Sequence, residues 1–195
     1  MGQFPVLSIS LKNVEGLSFE AAKKALKDTL GVEARRFYFL EQSIKLTDEE
    51  KESYKALIGV DATGDFQMSD TAMEKALLRL SAMLHKHYGK QVILLIDEYD
   101  VPLDKAFQYG YYDEMVSLLR NMFGNALKTN PNLYFAVLTG CLRIAKESII
   151  TGLNNFEVLS VLDVQYDECF GFTDTEVKDM LDYYNLSEHY AEVKE

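Results

Sequence analysis

Cysteine is scarce in this chain of 195 residues, with Cys141 and Cys169 the only two. They form no C-x-x-C pair, which argues against a thiolate metal site and a disulfide framework, so both are expected as reduced thiols. Basic residues are also short: 20 Lys and Arg face 31 Asp and Glu, giving a net charge of −11 and a pI near 4.8. An acidic surface repels phosphate backbones and anionic lipid, so neither nucleic acid nor a membrane is expected as a direct partner of this segment. No apolar run approaches the roughly 18 residues of a membrane span. The opening MGQFPVLSIS has no basic stretch followed by an apolar one, and a cytoplasmic protein is expected. With three prolines in all, no repeat and no low-complexity stretch, nothing marks a linker, and one compact domain is the expectation. Histidine is rare as well. His85 and His87, two apart, point to different sides of a helix, and with His189 they read as surface residues rather than zinc ligands.

What is present is an alternation of strand and helix. FPVLSISL (4–11) has strand composition, and SFEAAKKALKDTL (18–30) starts at Ser18 as N-cap and meets Gly31 as a natural stop. A second long helix is expected from about Glu33, and a short one at Thr47 with Glu50 completing a capping box. From Ser69 to Tyr88, Met73, Leu77, Leu80 and Leu84 recur at helical spacing, and Gly89 ends the run. The segment 91–96 is continuously apolar, the pattern of a strand covered on both faces. Asp113 to Asn130 reads as helix, NLYFAVLTG (132–140) as a buried strand, FEVLSVLD (156–163) as a further strand, and FTDTEVKDMLDYYNL (172–186) as a helix with Thr173 and Glu176 as its capping box. The fold class expected is α/β: a three-layer, mostly parallel sheet with helices on both faces. Lys23, Lys24 and Lys27 are expected on the wet face of the first helix. Tyr109, Tyr111 and Tyr112 are expected to pack in a loop.

Chemistry concentrates where VILLI (92–96) runs into Asp97, Glu98, Tyr99 and Asp100. In open parallel sheets ligands bind at the carboxyl ends of the strands, so acids just past a buried strand sit at a working position. An apolar run followed by Asp-Glu is the Walker B pattern of nucleotide-hydrolysing domains. In that pattern Asp97 is a Mg²⁺ ligand, because a hard cation takes oxygen donors, and Glu98 orients and deprotonates the attacking water. Thr139, polar at the tip of the apolar YFAVL stretch, stands where related ATPases place a sensor. Arg143 follows it, suited either to neutralising phosphoryl charge or to an ion pair with Glu147.

LLIDEYDVPLDKA, GYYDEMVSLLRNMFGNALK, LTGCLRIAKESIITGLNNFEVLSV and CFGFTDTEVKDML, taken in order, resemble the bacterial AAA-ATPase-like family, whose members often carry a PD-(D/E)XK nuclease-like domain further along. The opening FPVLSISLKNVEGLSFEAA looks like that family's second strand and helix. The resemblance spans nearly the whole chain. It implies a P-loop NTPase-like fold, ATP and Mg²⁺ as cofactors, Asp97 as metal ligand and Glu98, Thr139 and Arg143 as catalytic residues. Asn154 and Asn155 belong to a motif typical of the family, for which a turn is the plainer reading. By the resemblance, residues about 4–163 are the nucleotide-hydrolase core and about 164–195 the start of a helical part.

One departure stands against these matches. No stretch fits G-x-x-x-x-G-K-[ST]; the only Gly-Lys pair, Gly89-Lys90, leads into a strand. Without that loop there is no cradle of N–H groups for the phosphates. The chain therefore reads as a family member beginning after its first strand, with the strands at 4–11, 91–96 and 133–139 parallel and the Walker B strand central. The edge of strand 133–139 is then expected to be covered by residues 156–163 or by self-association with a second copy. Two other functions are weighed: a non-catalytic interaction module on a degenerate ATPase scaffold, and a metal-dependent nuclease or phosphotransferase using Asp97, Glu98, Asp100 and Asp104 for two ions.

Overall fold

The computed structural model describes residues 2–141, 156–160, 163, 165 and 171–194. The chain divides into two compact units, Met1–Asn154 and Asn155–Glu195. In the first, three parallel strands form one sheet in the order β1 (Val6–Ser10), β2 (Val92–Asp97), β3 (Leu133–Leu138). Strand β2, which ends in Asp97, is central, as expected from the sequence. Leu7 pairs with Leu94 and Ile9 with Ile96, and on the other side Leu94 pairs with Ala136 and Ile96 with Leu138. A register irregularity lies at Val92/Ile93.

Helices pack around this sheet. Helix α1 (Phe19–Arg35) opens with the Ser18 hydroxyl accepting the Ala21 N–H and buries Ala22, Leu26, Leu30 and Ala34, one helical stripe. It does not stop at Gly31. Gly31 lies inside the helix because its missing Cβ makes room for the Phe66 ring, which a methyl group would meet at 2.3 Å. The long helix expected from Glu33 is accordingly absent; a 3₁₀ turn, Tyr38–Gln42, stands there. Helix α2 (Asp48–Ile58) has its expected capping box, with the Thr47 N–H donating to Glu50 at 2.7 Å and the Glu50 N–H to the Thr47 hydroxyl at 3.3 Å. The stripe of residues 69–88 is divided into α3 (Asp70–Glu74) and α4 (Ala76–Tyr88) by a break at Lys75. Met73, Leu77, Leu80 and Leu84 are all buried, and Gly89 closes α4 in the left-handed conformation. Helices α5 (Val101–Tyr109) and α6 (Tyr112–Leu127) follow the central strand. Tyr111 between them is buried and donates its hydroxyl to the Gly16 carbonyl at 2.8 Å, so it packs rather than stacks on a ligand.

The sheet is unequal on its two faces. Leu7, Ile9, Val92, Leu94 and Ile96 point into the main core, whereas Leu95, Phe135 and Val137 on the opposite face are 36%, 45% and 42% exposed. The expectation of a central strand covered on both faces, and of a buried strand at 132–140, is corrected by these residues. An unbroken apolar run shows that both faces can be covered, not that they are. The strand edges differ too. At β1 the Ser8 N–H donates at 2.8 Å to Glu33, which is buried on α1 and held by Arg36 at 2.9 and 2.8 Å. Among the described residues β3 pairs only with β2, and residues 156–160 form no strand.

The lysines of α1 are not simply a solvated face. Lys23 and Lys27 reach Asp70 at 3.0 and 3.1 Å, and Lys24 reaches Asp65 at 2.6 Å, tying α1 to the first residue of α3 and to the loop before it. The histidines hold ordinary partners: His85 meets Asn132 at 2.9 Å and His87 meets Ser43 at 2.8 Å. In the second unit, α7 (Asp174–Tyr183) has the expected Thr173–Glu176 capping box, and Lys194 of α8 (Tyr190–Lys194) bonds Asp174 at 2.8 Å. Among the described residues no helix is long and apolar enough to cross a membrane.

Candidate functional site

The site is built where β2 and β3 end side by side. The backbone holds Asp97 from both flanks: its carbonyl accepts the Leu11 N–H at 2.9 Å, and the Thr139 N–H donates to the preceding carbonyl, that of Ile96, at 2.9 Å. The Thr139 hydroxyl donates a short hydrogen bond to the Asp97 carboxylate. Two residues singled out from different parts of the sequence, 42 positions apart, are thus in direct contact. Asp97 remains exposed at the strand tip, open to a cation or its water shell.

Glu98 carries two costs. Its φ of 53° is left-handed, a conformation unfavourable for a residue with a Cβ. One of its carboxylate oxygens, Oε2, is buried and has no hydrogen-bond partner among the described residues. A carboxylate oxygen in that condition is destabilising unless something else meets it. The turn is closed by the Val101 N–H donating to the Glu98 carbonyl at 3.2 Å, after which α5 begins with Pro102 in its first turn.

Beyond the pair the two loops stay joined. The Tyr99 N–H donates to the Thr139 carbonyl at 3.1 Å, and the Cys141 N–H donates to Asp100 Oδ2 at 2.8 Å. Asp100 is only 3% exposed. Burial, with the Asp100 carboxylate adding to it, pushes the Tyr99 phenol above its ordinary value. Asp104 lies a turn into α5, where its carboxylate accepts Gln108 at 2.7 Å. Among the described residues no three His, Cys, Asp or Glu side chains converge as a metal cluster. The four acids of a two-ion site are therefore not brought together: Asp100 is engaged by the chain after β3 and Asp104 by its own helix.

Arg143, Asn154 and Asn155 lie outside the described residues, as does Cys169. Gly89-Lys90 is far from the acids, at the opposite end of β2, with the Lys90 ammonium 5.9 Å from the centre of the Phe4 ring. A cleft of about 450 Å³ opens at the outer side of β1, lined by Ser8, Ser10, Asn13, Asp28, Thr29 and Glu33 among others. Its lining reaches Ser10, the last residue of β1, which pairs with Asp97 in register, but includes none of Asp97, Glu98 and Thr139. Asp100 and Gly140 had a signal in the sequence, a third acid and a glycine each just past a strand, but the pairing between them is tertiary.

Residues 1–150 match the family described as Predicted AAA-ATPase, AAA-ATPase-like. The chain belongs to that family. It is also 35% identical over 94 residues to an uncharacterized protein in the vnfD 5′ region of Azotobacter chroococcum mcd 1, the aligned stretch covering 48% of this chain and 18% of that protein. The chain thus spans less than a fifth of the relative it matches. No solved structure matches. Membership of the AAA-ATPase-like family agrees with the parallel order β1-β2-β3 and with acids at the tip of the central strand.

Proposed function

We propose that this chain supplies the metal-side and water-side half of an ATP-hydrolysing site, within a complete protein that also brings a phosphate-binding loop. The observation that carries this reading is Glu98: a carboxylate held at left-handed φ with a buried, partnerless oxygen, next to an Asp97–Thr139 pair. Backbone strain and an unsatisfied carboxylate oxygen in one residue at a strand tip are what a hydrolytic acid waiting for a ligand would show. Asp97, exposed and rich in oxygen lone pairs, fits Mg²⁺, which would neutralise phosphate charge when bound with ATP. Glu98 orients a water and takes its proton as the water attacks the terminal phosphate and the bond to the bridging oxygen breaks, with ADP leaving. Thr139 holds Asp97 in register and presents its hydroxyl at the same tip.

In this reading a phosphate-loop strand would lie beside β3, as the family resemblance implies. The apolar, open face at Leu95, Phe135 and Val137 and the edge of β3, which pairs with no second strand among the described residues, are consistent with that neighbour. Residues 1–195 alone would bind ATP poorly and not hydrolyse it, since a loop and helix N-terminus supply much of nucleotide affinity. Left without its neighbour, the β3 edge would pair with a second copy of the chain. The same open face also favours a second reading, an interaction module on a degenerate ATPase scaffold.

Steady-state ATPase and nucleotide binding of the full-length protein decide between them. Glu98→Gln is expected to keep nucleotide binding and lose turnover, whereas Asp97→Ala also impairs the Mg²⁺-dependent step. Equal hydrolysis by wild type and Glu98→Gln would reject the role given to Glu98. A full-length wild type that binds no nucleotide would favour the interaction module.

A further inference from the structure

Asp100 stands at the N-cap position of α5, where an aspartate ordinarily bonds the free N–H groups of its own helix. Its side chain makes no such capping bond. It reaches instead to the chain after β3, 41 residues away in sequence, and accepts the Cys141 N–H at 2.8 Å. The carboxylate is almost wholly buried, a costly place for a charge whose purpose is only to close a helix. On the other side of the contact is Gly140. Its backbone is not left-handed, so no conformational demand explains the glycine; a Cβ there would lie 2.6 Å from Asp100 Oδ1 and 2.8 Å from Tyr99 Cε1. Acid and glycine are complementary: the position without a side chain is the space the carboxylate occupies.

This contact sits one step beyond the catalytic tip. The ladder between β2 and β3 continues past the strands through two backbone bonds that bracket Thr139: its N–H to the Ile96 carbonyl and its carbonyl from the Tyr99 N–H. The Asp100–Cys141 bond is the next rung outward, made by a side chain where the backbones diverge. We propose that Asp100, seated against Gly140, is a positioning residue of the hydrolytic site: it latches the turn after β3 to the turn after β2 and so keeps Thr139 on Asp97. It touches neither substrate nor metal in this role. The inference rests on the reading of Asp97, Glu98 and Thr139 as a hydrolytic tip.

The full-length protein tests it through Asp100→Ala, Asp100→Asn and Gly140→Ala. With hydrolysis measured at saturating Mg²⁺ against ATP concentration, Asp100→Ala is expected to lower kcat by about 10- to 100-fold, the scale of a small misplacement of reacting groups, while KM moves less than about twofold. Asp100→Asn keeps an amide oxygen within reach of the Cys141 N–H and should recover most of kcat. Gly140→Ala should resemble Asp100→Ala, because the new methyl group displaces the carboxylate. The paired variant should lose less than the product of the two single losses. Hydrogen–deuterium exchange of the peptide spanning residues 133–141 gives a readout independent of activity: Asp100→Ala and Gly140→Ala should speed its exchange, and Asp100→Asn should not.

Outcomes separate the two levels. If wild type hydrolyses ATP and Glu98→Gln does not, but Asp100→Ala and Gly140→Ala turn over like wild type, the latch is overturned and the site reading stands. If wild type shows no hydrolysis, the site reading fails, and unchanged exchange in both variants overturns the latch as well. Should Asp100→Ala not fold, Gly140→Ala and Asp100→Asn decide: a wild-type kcat in Gly140→Ala, or an Asp100→Asn kcat as low as that of Gly140→Ala, would refute it.

Discussion

Glu98 ought to make the protein less stable than it need be. Its left-handed backbone costs about 1–2 kcal/mol relative to a relaxed residue, and its buried, unpaired oxygen about 1–3 kcal/mol. Glu98→Ala removes the oxygen and keeps the strain. It also removes one half-buried methylene, worth about 0.8 kcal/mol, so its net effect is a stabilisation of up to about 2 kcal/mol. Glu98→Gly relieves the strain as well, against about 0.5–1 kcal/mol of added flexibility in the unfolded chain. The glycine variant should therefore exceed the alanine variant by about 0.5–1 kcal/mol. Urea denaturation followed by far-UV circular dichroism without nucleotide or Mg²⁺ is the assay. With a slope of about 2 kcal/mol/M, the glycine variant's midpoint should rise by up to roughly 1.5 M. Both variants should also lack turnover in the full-length protein, a trade of stability against function. A lower midpoint for Glu98→Gly than for wild type, or an alanine variant more stable than the glycine one, would refute the argument that this residue is strained and orphaned.

Gly31→Ala should destabilise by about 1–3 kcal/mol through overpacking, since its Cβ would meet the Phe66 ring at 2.3 Å, and Phe66→Leu should restore part of the loss in thermal denaturation. Hydrogen bonds from Lys23 and then Lys27 hold the Asp70 carboxyl below its ordinary 3.8. Because its folded value is the lower one, its contribution is present above 3.8 and lost as pH falls through the folded value; the midpoint gap between wild type and Asp70→Asn should be present at neutral pH and close in acid. Sedimentation velocity of residues 1–195 should show concentration-dependent association that Val137→Lys weakens by placing a charge on the open face. Association unchanged by that substitution would clear β3 of the role.

The sequence by itself determined the capping boxes, the acidic tip and the three strands of the sheet, though not the further one expected at 156–163, because each rests on local chemistry: an apolar run of five, a Thr three residues ahead of its Glu, a carboxylate pair at a strand's end. It also determined the order in which the strands pair, through resemblance to a family the chain belongs to. Helix α5 has local signals of its own, with Pro102 in its first turn and Gly110 closing it. Other features needed the third dimension. Gly31 signals a helix end by its type, and only the Phe66 ring over it explains why α1 continues to Arg35. Glu33 sits in the spacing of a buried stripe, and what makes a buried carboxylate tolerable there is the Ser8 N–H and the Arg36 guanidinium. Which face of an apolar strand is covered depends on what packs against it, so the open side at Leu95, Phe135 and Val137 was not written in the run VILLI. Asp97 and Thr139 were each visible as strand tips, but their contact, the orphaned oxygen of Glu98 and the Asp100–Cys141 bond exist because parallel pairing brings two distant loops within hydrogen-bond reach.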